Sequence, residues 1–154
     1  MQITSSSNER IKHARRVREG REAGLIFIEG LRLAEEAYNS GLTIESCFCT
    51  ATEDERTNTL LRQLNEHDIP IYTTLPGILE SLGDTVQTQG VILIAQRPQL
   101  AAADLFQQRG SLYLALDRVQ DPGNMGTLLR TAEAAGTNGV ITLGGSVDVF
   151  SPKV

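Results

Sequence analysis

Between Gly24 and Gln96 four short apolar runs are separated by three segments of helical periodicity, and a chain so patterned has few folds open to it. The runs "GLIFIEG", "TIESCFCT", "PIYTT" and "GVILIAQ" read as strands. In "LRLAEEAYNSG" Leu31, Ala34, Ala37 and Tyr38 recur on one side, and Gly41 supplies a stop. Leu60, Leu61 and Leu64 form the apolar side of "RTNTLLRQLNEH", and "LPGILESLG" is a shorter helix. Ahead of them, from Asn8 to about Glu19, Ile11, Ala14 and Val17 make a narrow helical stripe. Strands alternating with helices predict an α/β fold whose sheet is mainly parallel and covered on both faces.

The pattern restarts after residue 100. "RPQLAAADLFQQRG" reads as a connector with a short helix, followed by the strand "SLYLAL", a turn, a helix and the strand "GVITL". This divides the chain into residues 1–98 and 99–154. Two parallel strands cannot bury both their faces, and a sheet needs roughly three or more to be stable alone. The second division therefore reads as unfinished, and "GSVDVFSPKV" is not built as a closing element.

Hydrophobic residues make up 40% of the chain and charged residues 21%, enough for a packed core. No apolar run approaches the ~20 residues of a membrane span. "MQITSSSNER" lacks the basic-then-apolar order of a signal peptide, so a cytoplasmic protein with no membrane partner is expected. Cys47 and Cys49 point the same way on a strand. With no second pair, and His13 and His67 far off in sequence, they read as small buried thiols, and no metal is expected. No motif surrounds either histidine to support a Ser-His-Asp triad.

The net charge of −5 argues against a generally basic nucleic-acid binder. The charge is uneven, however. Between Met1 and Arg21, Arg10, Lys12, Arg15, Arg16, Arg18 and Arg21 stand against only Glu9 and Glu19. By itself such a run is a solvated helix face, yet a basic arm steers a polyanion while the rest of the protein stays acidic.

The segment "ALDRVQDPGNMGTLLRTAEAAGTNGVITLGG" carries the chemistry. Asp121-Pro122-Gly123-Asn124 suits a type II turn, with Asn124 as the N-cap of a helix from Met125 to about Ala135. A strand, a tight turn and a helix N-terminus in this order favour an anionic or polar ligand. The glycine spacings of nicotinamide and ATP sites are missing. Met125, Leu128, Leu129 and Ala132 form one stripe, facing the sheet. Arg130 lies away from it among Gly126, Thr127 and Ala134, small residues that leave room for another body. Glu133 is the competing partner, in a surface pair worth about 0.3–0.5 kcal/mol. Because guanidinium matches phosphate bidentately, Arg130 is the candidate to hold a phosphate or a developing oxyanion.

"DRVQDPGNMGTLLRTAEAAG" closely resembles the first signature motif of the SpoU (TrmH-like) RNA ribose 2′-O-methyltransferases of the SPOUT superfamily. "SNERIKHARRVR", "GLIFIEGLRLAEEAYNSG" and "QGVILIAQRP" are similar to that family's amino-terminal substrate-binding domain, which has a ribosomal-protein-like fold. The resemblance implies an RNA substrate-binding domain over 1–98 and the first part of a trefoil-knot methyltransferase domain over 99–154, with the knot not completed. It implies that Asn124 and Arg130 are the motif's catalytic residues. Guanidinium scarcely deprotonates in proteins, so Arg130 is better suited to stabilise a forming alkoxide than to act as the base.

The family's methyl donor is S-adenosylmethionine, bound by two motifs that would follow "SPKV". The expectation is a fragment, inactive as it stands, that does not bind the donor. Lys12, Arg15, Arg16 and Arg18 are the candidate RNA-binding residues, rRNA or tRNA the partner, and a homodimer the full-length assembly. A non-catalytic RNA-binding module is the alternative. A dinucleotide-dependent α/β enzyme is disfavoured by the missing glycine fingerprint. Aromatic residues are few and give no obvious stacking platform for bases.

Overall fold

In the computed structural model, which describes residues 1–83, 90–100 and 111–154, the chain divides into two units, Met1–Arg97 and Pro98–Val154. The first contains β1 (Gln2–Ile3), α1 (Glu9–Arg18), β2 (Leu25–Glu29), α2 (Leu31–Asn39), β3 (Ile44–Thr50), α3 (Glu55–Glu66), β4 (Ile71–Thr74), α4 (Pro76–Leu82) and β5 (Val91–Gln96). Its five strands form one sheet in the order β1-β4-β3-β5-β2.

β1, β4 and β3 pair in parallel, whereas β5 is antiparallel to both β3 and β2. The expectation of a mainly parallel sheet therefore holds for strand direction, since β5 alone is reversed, but half of the pairings are antiparallel. What the composition of β5 does account for is its interior position, between β3 and β2. Val91, Ile92, Leu93, Ile94 and Ala95 are all fully buried, so the strand must be covered on both faces and flanked on both edges. β1 has no signal in the sequence, being only two residues long, and it adds to the outer edge of β4.

Alternation along the strands divides the core. Phe27, Phe48, Tyr72, Ile92 and Ile94 pack with Ile11, Ala14 and Val17 of α1 and with Ile78, Leu79 and Leu82 of α4. The Phe48 and Tyr72 rings lie across the β3–β4 pair with centroids 5.2 Å apart. α2 and α3 take the other face through Ala34, Ala37, Leu60 and Leu64, with Leu61 half-buried. Cys47 and Cys49 lie on this face as free, buried thiols. Their mutual hydrogen bond pushes Cys47 up and lowers Cys49 to about 7.

The helix ends follow local chemistry. The Asn8 side chain accepts from the Arg10 N–H at 2.9 Å, and Asp54 accepts from the Thr57 N–H at 2.7 Å. Gly41, at φ 74°, takes the left-handed conformation that ends α2.

The second unit shows β6 (Tyr113–Leu116), α5 (Pro122–Ala134) and β7 (Gly139–Thr142), with β6 and β7 paired in parallel. Met125 and Ala132 are buried as the stripe requires, while Leu128 and Leu129 are half-buried. Leu112 and Leu143, flanking the two strands, remain 55% and 49% exposed. The connector helix expected after Arg97 falls largely on residues 101–110, outside the described residues. Among the described residues no helix is long and apolar enough to cross a membrane.

Candidate active site and basic helix

From Pro122 onward the Asp121-Pro122-Gly123-Asn124 stretch is helix, not a type II turn. α5 begins at Pro122, and its N-cap is Asp121, whose Oδ1 accepts from the Asn124 N–H at 2.7 Å. Proline at the first helical position carries no N–H to satisfy and has its φ preset for the helix. Both Asp121 and Asn124 are good capping residues, and proline decides between them. Asn124 thus sits inside the first turn, exposed, and its carboxamide makes no hydrogen bond among the described residues.

Three residues apart along the same helix, Asn124, Thr127 and Arg130 share one polar face. The Arg130 guanidinium reaches back toward the N-terminus, its Nη2 donating to Thr127 Oγ1 at 3.4 Å. That hydroxyl in turn donates to the Gly123 carbonyl at 2.8 Å, which fixes its lone pair toward the arginine. The pair with Glu133 is not formed, and among the described residues Arg130 has no carboxylate within ion-pair distance. An exposed guanidinium without a counter-charge, next to an unengaged carboxamide, presents donors to an anion.

The expected room beside Arg130 is filled on one side. Gly126 is buried, and Val154 lies against it: a Cβ there would overlap the Val154 backbone oxygen and stand 3.1 Å from Arg130 Nη1. Sequence spacing cannot show this, because the covering residue is 28 positions away.

The cations of α1 fall into two sets. Lys12 pairs with Glu9 at 2.7 Å and Arg16 with Glu22 at 2.8 Å, all near the surface. Hydrogen bonding to Lys12 and Arg16 holds the carboxyl pKa of Glu9 and of Glu22 below the ordinary 4.5. Arg15 and Arg18 are half-buried instead. Arg15 donates to Ser81 Oγ at 3.3 Å, and Arg18 Nη1 donates to the Leu82 and Gly83 carbonyls at 2.8 and 3.2 Å. Arg18 thereby serves the C-terminus of α4, where free carbonyls and the helix dipole favour a cation. Arg10 lies over the Tyr72 ring, 4.4 Å from its centroid. Among the described residues no cluster of histidine, cysteine or carboxylate side chains is arranged to hold a metal.

Two family models match the chain. Residues 27–101 match RNA 2′-O ribose methyltransferase substrate binding, and residues 111–154 match the SpoU rRNA Methylase family. An uncharacterised tRNA/rRNA methyltransferase of Synechocystis is 34% identical, the match covering 99% of this chain and 56% of that protein. A 23S rRNA guanosine 2′-O-methyltransferase of Bacillus subtilis is 29% identical over 99% of this chain and 58% of its own length. Among solved structures, an rRNA methyltransferase from Sinorhizobium meliloti superposes with a TM-score of 0.87 at 28% identity, covering 99% of this chain and 58% of that one. The same protein has been crystallised with AdoMet bound. The chain thus spans a little over half the length of these three relatives.

Proposed function

The chain belongs to the SpoU family of RNA methylases, and from that premise we propose that it serves methylation of a ribose 2′-hydroxyl in rRNA or tRNA. In this reading residues 1–98 bind the RNA and residues 99–154 begin the methyltransferase domain. The observation that carries it is the exposed guanidinium of Arg130, held by Thr127 on the polar face of α5 and without a carboxylate partner among the described residues. Arg130 grips a phosphate of the target nucleotide and stabilises negative charge forming on the 2′-oxygen. Asn124, one face-width away, orients the same group through its carboxamide. Lys12, Arg15 and Arg16 meet the RNA backbone; Arg18 belongs to this set by charge, although its guanidinium already serves α4.

S-adenosylmethionine is the methyl donor of this reading, and when bound it supplies an electrophilic methyl group. The described residues do not by themselves enclose a seat for it. β6 and β7 are the only strands of the second unit among them, and Leu143 at the end of β7 is half exposed. The exposed Leu112 and Leu143 are also apolar surface that a homodimer contact would cover.

The test is transfer of labelled methyl from S-adenosylmethionine to rRNA and tRNA by the full-length protein, with the product ribose mapped. Arg130→Ala is expected to lower the rate about 10²–10³-fold, the usual effect of removing one oxyanion donor, without weakening RNA binding to match. An Arg130→Ala protein that methylates at the wild-type rate refutes the role. RNA binding without any transfer by the wild type would favour a non-catalytic RNA-binding module.

A further inference from the structure

Glycine inside a helix is disfavoured relative to alanine, so a buried helical glycine calls for a physical reason. Gly126 is the buried glycine of α5, and what lies over it is backbone. A Cβ would run into the Val154 carbonyl oxygen, approach the Val154 carbonyl carbon to 3.3 Å and come within 3.1 Å of Arg130 Nη1. Backbone cannot swing aside as the end of a flexible side chain can. The Val154 segment is itself ordered by hydrogen bonds, from the Val154 N–H to the Ser151 carbonyl at 3.0 Å and from the Ser151 N–H to the Asp148 carbonyl at 3.0 Å. At the first of the two contacts the glycine admits the returning chain. At the second it leaves the guanidinium its place.

We infer that Gly126 is a positioning residue: by carrying no side chain it lets the 151–154 segment lie across α5 and form one wall of the space that Arg130 occupies. The functional half of this inference rests on the role given above to Arg130; the geometric half does not. Any side chain at 126 displaces either the segment or the guanidinium. A misplacement of about 1 Å in a site of this kind can cost on the order of 10²-fold in rate.

The experiment compares the full-length wild type with its Gly126→Ala variant by amide hydrogen exchange and by methyl transfer. Exchange of the Ser151 and Val154 amides should quicken at least tenfold in Gly126→Ala, while amides within the β6–β7 pair keep their protection. The rate at saturating RNA should fall by about tenfold or more with KM for RNA little changed, because the RNA-binding helix is untouched. Unchanged exchange at 151 and 154 overturns the inference, whatever Arg130→Ala does. If Arg130→Ala keeps full activity while Gly126→Ala loosens 151–154, the wall stands and the role of Arg130 falls.

Should Gly126→Ala unfold the second unit, Gly123→Ala is the comparison, since a Cβ there would meet only the Asp121 side chain, at 3.3 Å, and no backbone. Gly123→Ala is expected to keep the wild-type thermal midpoint or raise it. A loss at 123 equal to that at 126 overturns the inference.

Discussion

Replacing Arg18 by methionine separates the two sets of cations on α1. Methionine keeps an unbranched apolar stem of similar reach while removing the donors and the charge. Among the interactions lost is a half-buried, charge-assisted hydrogen bond shared between the Leu82 and Gly83 carbonyls. Bonds of this kind contribute about 1.5–3 kcal/mol. It closes a helix whose Leu79 and Leu82 are wholly buried in the core, so the loss is transmitted to the first unit rather than absorbed by fraying. Taking about 2 kcal/mol, and the roughly 4–8 °C per kcal/mol of a domain this size, the midpoint should drop by about 8–16 °C.

Urea and thermal melts followed by far-ultraviolet circular dichroism measure this. Arg16→Met serves as the comparison, since exposed pairs contribute little to stability. The same proteins are titrated with RNA across a salt series. Arg15→Glu and Arg16→Glu should each flatten the dependence of log K on log salt by about 0.7–0.9, and Arg18→Met should leave it unchanged. An Arg18→Met protein that melts with the wild type but loses salt dependence would refute the assignment to α4 and return Arg18 to the RNA.

Asp121→Ala should cost about 1 kcal/mol of stability in α5, the usual value of an N-cap, seen as faster exchange of the first-turn amides; Asn124→Ala should leave those amides unchanged while lowering methyl transfer. Stability should also fall on acidification. Glu9, Glu22, Glu35 and Asp54 all ionise below their ordinary values of 4.5 and 3.8, chiefly through hydrogen bonds to Lys12, Arg16, Arg56 and Thr57. Depressed carboxylates stabilise the fold above their ordinary range and cease to do so as pH drops through the lowered values. Melting midpoints should therefore be level above about pH 5 and decline below about 4.5, and a decline beginning near neutrality would contradict this source.

Much of the first unit was legible because its strands and helices carry strong periodicity. The stripe Ile11, Ala14 and Val17, and the runs that became β2, β3, β4 and β5, lie where the apolar pattern puts them. The reversal of β5 was not legible, since a run buried on both faces looks the same in either direction. β1 was too short to show any period. At the site, the exposed Arg130 could be singled out from its surroundings, but two points depended on three dimensions. Asp121 and Asn124 are chemically interchangeable as caps, and only the placement of Pro122 separates them. Gly126 looked like open space because its neighbours in sequence are small, whereas the occupant comes from Val154.

The position of β5 also bears on how the first unit comes into being. It joins β3 to β2, so an interior strand of the sheet is the last of the five to be synthesised. Until residue 96 has left the ribosome, β2 has no neighbour in the sheet, and β3 presents an unpaired edge lined by Phe48 and Cys47. Exposed apolar strand edges of this kind are where premature association begins. A ribosome pausing before Val91 would hold the chain at its most adhesive, and one pausing just after Gln96 has cleared the exit would give the sheet time to close.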